Sequence, residues 1–95
     1  MLFLVISNPE LSRPSLVREQ RKEYWPWAQD KLDRGLAKSF YARVGRGAVA
    51  VFDLDSNETL HKILNEWSEI MPAEFNVYPL IDSASIINFL QESKE

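Results

Sequence analysis

Two short apolar runs constrain the fold of this chain more than any other sequence feature. They occupy residues 2–6 and 48–52, and each is followed within a few residues by polar or turn-forming residues. A membrane-spanning helix needs about 20 apolar residues, so runs of this length are too short to cross a bilayer. Short apolar runs that end at turn signals predict buried β-strands, here over residues 2–7 and 48–52.

A first helix is predicted over residues 15–33, ending at Gly35, since glycine readily adopts the left-handed conformation that terminates helices. Pro26 lies inside this segment and is expected to bend or break the helix, because its ring clashes with the preceding turn. Such a bend would place Trp25 and Trp27 on different surfaces, where one of these aromatic side chains could wall an apolar pocket together with Tyr24.

A second helix is predicted to begin at Asp55 or Ser56, either of which can cap a helix N-terminus, and to end at Pro72. Its apolar residues recur with the 3.6-residue period of a helix that buries one face. They are Leu60, Ile63, Leu64, Trp67 and Met71.

The remaining segments complete a recognisable order. Residues 36–44 alternate between apolar and polar side chains, which predicts a half-buried strand, and the turn at residues 45–47 leads into the strand over residues 48–52. A fourth strand is expected over residues 74–81, followed by a short amphipathic helix over residues 83–92. The order βαββαβ plus a C-terminal helix predicts one α+β domain over residues 1–95 with a ferredoxin-like, four-stranded antiparallel sheet.

One face of this sheet is left without helices. We expect apolar side chains of the first and third strands to line that face, which would then be too apolar to contact water. A small domain without disulfides also gains stability from association. The sequence therefore predicts a homodimer or larger ring closed through sheet-to-sheet contact. The residues expected on the face are Leu2, Leu4, Ile6, Ala48, Ala50 and Phe52.

Composition excludes several classes of protein. The net charge is −3 and the isoelectric point is about 5.2, which argues against a nucleic-acid partner. The absence of cysteine excludes a disulfide scaffold and a zinc site built on thiolates. The sequence contains no candidate membrane span and no glycine-rich loop of the kind that binds cofactor phosphates. We therefore expect a cytoplasmic protein that uses no cofactor or metal and has no membrane partner.

The sequence resembles the muconolactone isomerases in three places: the run VFDLDSNETLHKIL at residues 51–64, the opening residues 1–3, and Pro72 before residues 75–78. The resemblance implies a dimeric α/β barrel in which two ferredoxin-like sheets face each other. It also implies a cofactor-free reaction that moves a double bond in a small unsaturated lactone by proton transfer. The family's pocket lies between the sheet and the helices or tails around it.

Five residues are candidates for the chemistry. Arg43 can bind a carboxylate or an enolate, and Tyr41 and Tyr78 can donate hydrogen bonds from the same sheet face. Glu74 is the candidate base, and His61, the only histidine, is the second acid–base candidate. Each also has an ordinary structural interpretation as part of a solvated strand or helix surface.

Two functions remain open on the sequence alone. The first is an isomerase of the muconolactone isomerase type, acting on a small molecule. The second is a non-catalytic oligomeric barrel that binds a small ligand or a partner. The second hypothesis gains weight because the pocket-facing positions of the first and fourth strands are expected to hold the uncharged residues Leu4, Ile6, Asn76 and Tyr78.

Overall fold

Four antiparallel strands form one sheet in the order β2-β3-β1-β4, and this arrangement confirms the predicted α+β, ferredoxin-like fold. The computed structural model describes residues 1–92. Along the chain the elements are β1 (Leu2–Pro9), α1 (Arg18–Asp33), β2 (Ala37–Ala42), β3 (Ala48–Asp53), α2 (Asn57–Ile70), β4 (Ala73–Leu80) and α3 (Ser83–Glu92), with a single 3-10 turn (Pro14–Val17) before α1.

The core lies between the sheet and the pair α1 and α2. Side chains of β1 alternate strictly, so that Phe3, Val5 and Ser7 are buried on the helix face of the sheet. From α2, the predicted apolar stripe places Leu60, Ile63 and Trp67 in the same layer. A strand of period two and a helix of period 3.6 thus bury their apolar residues against each other.

One part of the predicted open face was wrong. Ala48, Ala50 and Phe52 are buried on the helix face, because Ala50 pairs with Val5 and paired residues of neighbouring strands point to the same side. The half-buried residues of β3 on the open face are Val49 and Val51 instead. Every residue of this strand from 48 to 52 is apolar, so alternation could not decide which set faces the helices.

The first helix is continuous through Pro26, so of the predicted bend or break the break is wrong. Pro26 is exposed, and its ring therefore costs a helical hydrogen bond without disturbing the core. Around it, Trp25 and Trp27 both contact Phe40, with ring centroids 6.0 Å and 6.2 Å away. Gly35 has φ +74°, the left-handed conformation expected at the end of this helix.

The second strand ends earlier than predicted. β2 stops at Ala42, and Val44 is fully exposed in the turn instead of facing the helices. A register shift between Ala37 and Ser39 allows both Ala37 and Phe40 to be buried, although they are three residues apart. An extra residue of this kind reverses the alternation of side chains along a strand.

The second helix is capped as the sequence predicted. Ser56 is the N-cap, and its Oγ accepts a hydrogen bond of 3.2 Å from the backbone N–H of Thr59. The Thr59 hydroxyl donates to the Asp55 carboxylate at 2.6 Å, and this bond lowers the pKa of Asp55 below its ordinary value. Both of the predicted capping residues therefore take part in fixing the start of α2.

The last helix does not pack into the domain. Each of its ten residues is exposed, including Ile86, Ile87 and Phe89. Within residues 1–92 no helix is both long enough and apolar enough to cross a membrane.

Candidate functional site

A cavity of about 110 Å³ lies between the sheet and α1, at the end of the sheet where β2 turns into β3. It is partly open to solvent. The side chains around it come from every strand, from the 3-10 turn, and from both packed helices. Because residues from so many elements line it, the cavity depends on the complete fold and not on a single local sequence motif.

Small residues explain why the cavity forms at this end of the sheet. The middle of the helix face is filled by Phe40 and Phe52, whereas the cavity is lined by Ala42, Ala48 and Ala73. Side chains that end at Cβ leave a gap wherever the helices above cannot move closer to the sheet. The layer between sheet and helices is therefore densely packed in its middle and hollow at one end.

Aromatic rings form the inner wall of the cavity. Tyr24 and Trp25 of α1 meet edge to face at a centroid distance of 5.0 Å, and Trp67 of α2 lies 5.3 Å from Tyr24. The Tyr24 hydroxyl is buried, and no partner for its hydrogen bond exists in the described part of the chain. Burial raises the pKa of this phenol, so it stays protonated and can act as a neutral donor.

Three arginines stand around the cavity. Arg43 donates from Nη1 to the Ser7 carbonyl at 2.9 Å and to Asn8 Oδ1 at 3.0 Å. Arg46 donates from Nη2 to the Glu10 carbonyl at 2.6 Å, and from Nη1 to the Ser12 carbonyl. The third, Arg21, is exposed on α1. Among the described residues that line the cavity there is no aspartate, glutamate or histidine.

Gly47 allows the strand ends to come together beside these arginines. Its φ is +89°, and a Cβ on this residue would lie 2.5 Å from the Ser7 carbonyl oxygen and 3.4 Å from Arg43 Nη1. The absence of a side chain thus makes room for the bond between Arg43 and Ser7. Ser7 itself is buried, and its hydroxyl oxygen accepts from the Ala48 backbone N–H at 2.8 Å, which continues the ladder between β1 and β3.

The opposite, open face of the sheet carries three of the five predicted site residues. Two rows of paired residues cross all four strands there, and the phenols of Tyr41 and Tyr78 end up on different rows and different edge strands. Glu74 belongs to the same face and pairs with Asn8. The rows are Tyr41–Val49–Ile6–Asn76 and Ser39–Val51–Leu4–Tyr78.

A chain of hydrogen bonds connects the open face with the cavity. Asn8 accepts from Arg43 and donates from Nδ2 to Asn76 Oδ1 at 2.9 Å. Arg43 therefore lies at the sheet end, where it borders both the cavity and the polar end of the open face. Glu74 makes no ion pair with it in residues 1–92, and its carboxylate is exposed.

His61 is separated from the other predicted site residues. It lies on the exposed side of α2, whereas Leu60 and Ile63 beside it point into the core. A helix residue on that side cannot reach either face of the sheet. Residues 1–92 also contain no group of three histidine, aspartate or glutamate side chains placed to hold a metal ion.

Comparison with known families decides the relationship of the chain. The family model described as "Domain of unknown function (DUF3303)" matches residues 1–94. The chain belongs to this family. No curated protein matches the chain. The family description gives no link to the muconolactone isomerases, so that resemblance stays a prediction, and the function of this DUF3303 chain has to be argued from its geometry.

Sequence reasoning missed most of the cavity. It assigned no functional role to Arg21 or to Asn8, and Arg46 entered it only as part of the turn at residues 45–47. The proline-flanking aromatics were considered as a pocket wall, and two of them, Tyr24 and Trp25, line the cavity. One signal was present in the sequence: two arginines, Arg43 and Arg46, occur in a tight glycine turn that contains no acidic residue.

Replacing Gly47 with alanine should destabilise the protein more than the same change at Gly35. Both glycines have positive φ, so both alanines pay about 1–2 kcal/mol of backbone strain. At Gly47 the new Cβ would also collide with the Ser7 carbonyl, whereas nothing lies within 4 Å at Gly35. Urea unfolding of the two variants measures the difference, and equal losses would mean that the close approach at Gly47 is unimportant.

Proposed function

We propose that this protein is a ligand-binding α/β barrel that holds a small cyclic or unsaturated organic molecule in the cavity between the sheet and α1. The observation that carries the proposal is the cavity of about 110 Å³ walled by Tyr24, Trp25 and Trp67. Ligand sites are concave and mostly apolar, with a few polar groups that fix orientation. An apolar protein cavity of about 150 Å³ accepts benzene, so this one suits a ligand of about one ring.

We propose further that the protein works as a homodimer closed through the open face of the sheet. The centre of that face consists of the half-buried aliphatic side chains Leu4, Ile6, Val49 and Val51, and none of the helices in residues 1–92 packs on them. Exposure of a contiguous aliphatic surface to water is unfavourable. A second sheet packed on this face would bury that surface and so stabilise the dimer. A facing sheet would also enclose Tyr41 and Tyr78, which are 67% and 50% exposed in the single chain.

Isomerisation of a small unsaturated lactone is the second candidate function, and Glu74 is the observation that favours it. Proton transfer needs a base, and the described lining of the cavity offers none. Glu74 has no ion-pair partner within residues 1–92 and lies opposite Asn8, which accepts a hydrogen bond from Arg43, so a facing subunit would enclose an acid–base group beside a guanidinium. Neither function requires a cofactor, and a chain without disulfides suits the reducing cytoplasm, where we place it.

A cavity-filling substitution tests the site. We expect a five-membered unsaturated lactone to change the fluorescence of Trp25 and Trp67 in a saturable way. Ala73→Leu, which adds three carbons at the cavity wall, should weaken this binding on the order of tenfold or more. Val49→Leu is the matched control, since it enlarges a β3 residue on the open face and should leave binding unchanged.

The same titration separates the two candidate functions. Turnover of the lactone that falls at least 100-fold in Glu74→Gln, and stays unchanged in Glu69→Gln on the exposed side of α2, would support the isomerase. Saturable binding without turnover would support the ligand-binding barrel alone. Loss of binding in Val49→Leu but not in Ala73→Leu would contradict the proposed location of the site.

A charge on the open face should dissociate the dimer without unfolding the chain. Val51→Asp places an unpaired carboxylate among aliphatic side chains that the second sheet would bury, which costs several kcal/mol, about 3–5. Analytical ultracentrifugation at micromolar concentration should show a native dimer and a monomeric Val51→Asp variant with a native circular dichroism spectrum. A native protein that sediments as a monomer would rule out this interface.

A further inference from the structure

The cavity has a local charge opposite to that of the whole protein. The chain carries a net charge of −3, yet Arg21, Arg43 and Arg46 border the cavity and no carboxylate lines it in the described residues. Four other cationic side chains within residues 1–92 have a carboxylate partner: Lys31, for example, lies 3.4 Å from Glu66, and Arg34 lies 3.5 Å from Asp30. None of the three cavity arginines forms an ion pair within residues 1–92, so their positive charge is not compensated there by a carboxylate.

Backbone carbonyls hold two of these guanidinium groups in position. The bonds from Arg46 to the Glu10 and Ser12 carbonyls join this arginine to the loop after β1, and the bond from Arg43 to the Ser7 carbonyl joins it to β1 itself. Neutral oxygens orient a guanidinium without cancelling its charge. Each arginine has five N–H donors, so several remain available to an anion after these bonds are made.

Exposure differs between the ends of the cavity. Arg21 and Arg43 are exposed and Arg46 is half-buried, whereas Tyr24 is only 3% exposed. The charged groups therefore stand at the mouth and the aromatic groups at the inner wall. A guest that fits both must be charged at one end and apolar at the other.

We infer that the ligand of this cavity is a small organic acid, with its carboxylate at Arg46 and Arg21 and its ring or short unsaturated chain against Tyr24 and Trp25. This inference rests on the proposed function and adds the chemical class of the ligand. Guanidinium groups bind carboxylates through paired, charge-assisted hydrogen bonds, which gives both affinity and orientation. The volume of about 110 Å³ limits the apolar part to about one ring.

The buried phenol makes a second contribution. A buried hydroxyl without a partner is rare in proteins, and within residues 1–92 the buried hydroxyl of Tyr24, a residue that lines the cavity, has none. A guest with an acceptor on its ring, such as a carbonyl or hydroxyl oxygen, would give this donor a partner. Tyr24→Phe should therefore leave the folded protein at least as stable while weakening the binding of a ring that carries such an acceptor.

Calorimetric titration of the native protein with benzoate, with benzamide as its neutral analogue and with inorganic phosphate tests the inference. Benzoate should bind at least tenfold more tightly than benzamide, and its affinity should fall as salt is raised. Arg46→Gln should weaken benzoate by about tenfold, and Arg21→Gln by less because that side chain is more exposed. Arg34→Gln, near the C-terminal end of the same helix, is the matched control and should bind benzoate normally.

The outcomes distinguish a failure of the organic-acid inference from a failure of the proposed ligand-binding function. Equal affinity for benzoate and benzamide, with no effect of either arginine substitution, would overturn the organic acid while the cavity remains a binding site. Phosphate that binds as tightly as benzoate would overturn it too, since the site would then recognise an inorganic anion alone. If Ala73→Leu leaves the binding of benzoate and of the lactone intact, the proposed function fails first. Arg21→Gln removes no bond within the described chain, so it tests the charge even if Arg46→Gln unfolds.

Discussion

The contact between Phe40 and Trp67 is the interaction on which the rest of this structure depends. Their ring centroids lie 5.2 Å apart, and Phe40 comes from the sheet whereas Trp67 comes from α2. Tyr24 packs on both of them from α1, at 6.0 Å and 5.3 Å. A chain without cysteines has to hold its layers together by burial alone, and aromatic pairs add about 0.5–1.5 kcal/mol beyond their buried area.

The same aromatic cluster determines where a ligand fits. Large rings separate the sheet from the helices, and at one end the strands contribute small side chains, among them Ala42, Ala48 and Ala73, so a gap remains between the layers. The turn at residues 45–47 then brings arginines to the rim of this gap. The packed aromatic core and the arginines at the rim of the cavity thus form a site whose residues are scattered along the sequence.

The spacing of apolar residues predicted much of the fold, but it did not predict most of the residues of the site. Alternation in β1 assigned Leu4 and Ile6 to the open face correctly, but the uniformly apolar β3 needed its pairing with Val5 before its faces could be told apart. Arg21 and Arg46 are 25 positions apart in sequence and line the same cavity only because the fold brings α1 and the β2–β3 turn to one end of the sheet. His61 was a candidate because it is the single histidine, but it lies on the exposed side of α2, away from the cavity.

The central claim is that the cavity beside Tyr24, and not the open face of the sheet, receives the ligand. A crystal structure of the native protein grown with benzoate tests it most directly. We predict the ring of benzoate against Tyr24 and Trp25, with its carboxylate within hydrogen-bond distance of Arg46 or Arg21. Benzoate bound between Tyr41 and Tyr78 on the open face, with the cavity empty, would contradict the account.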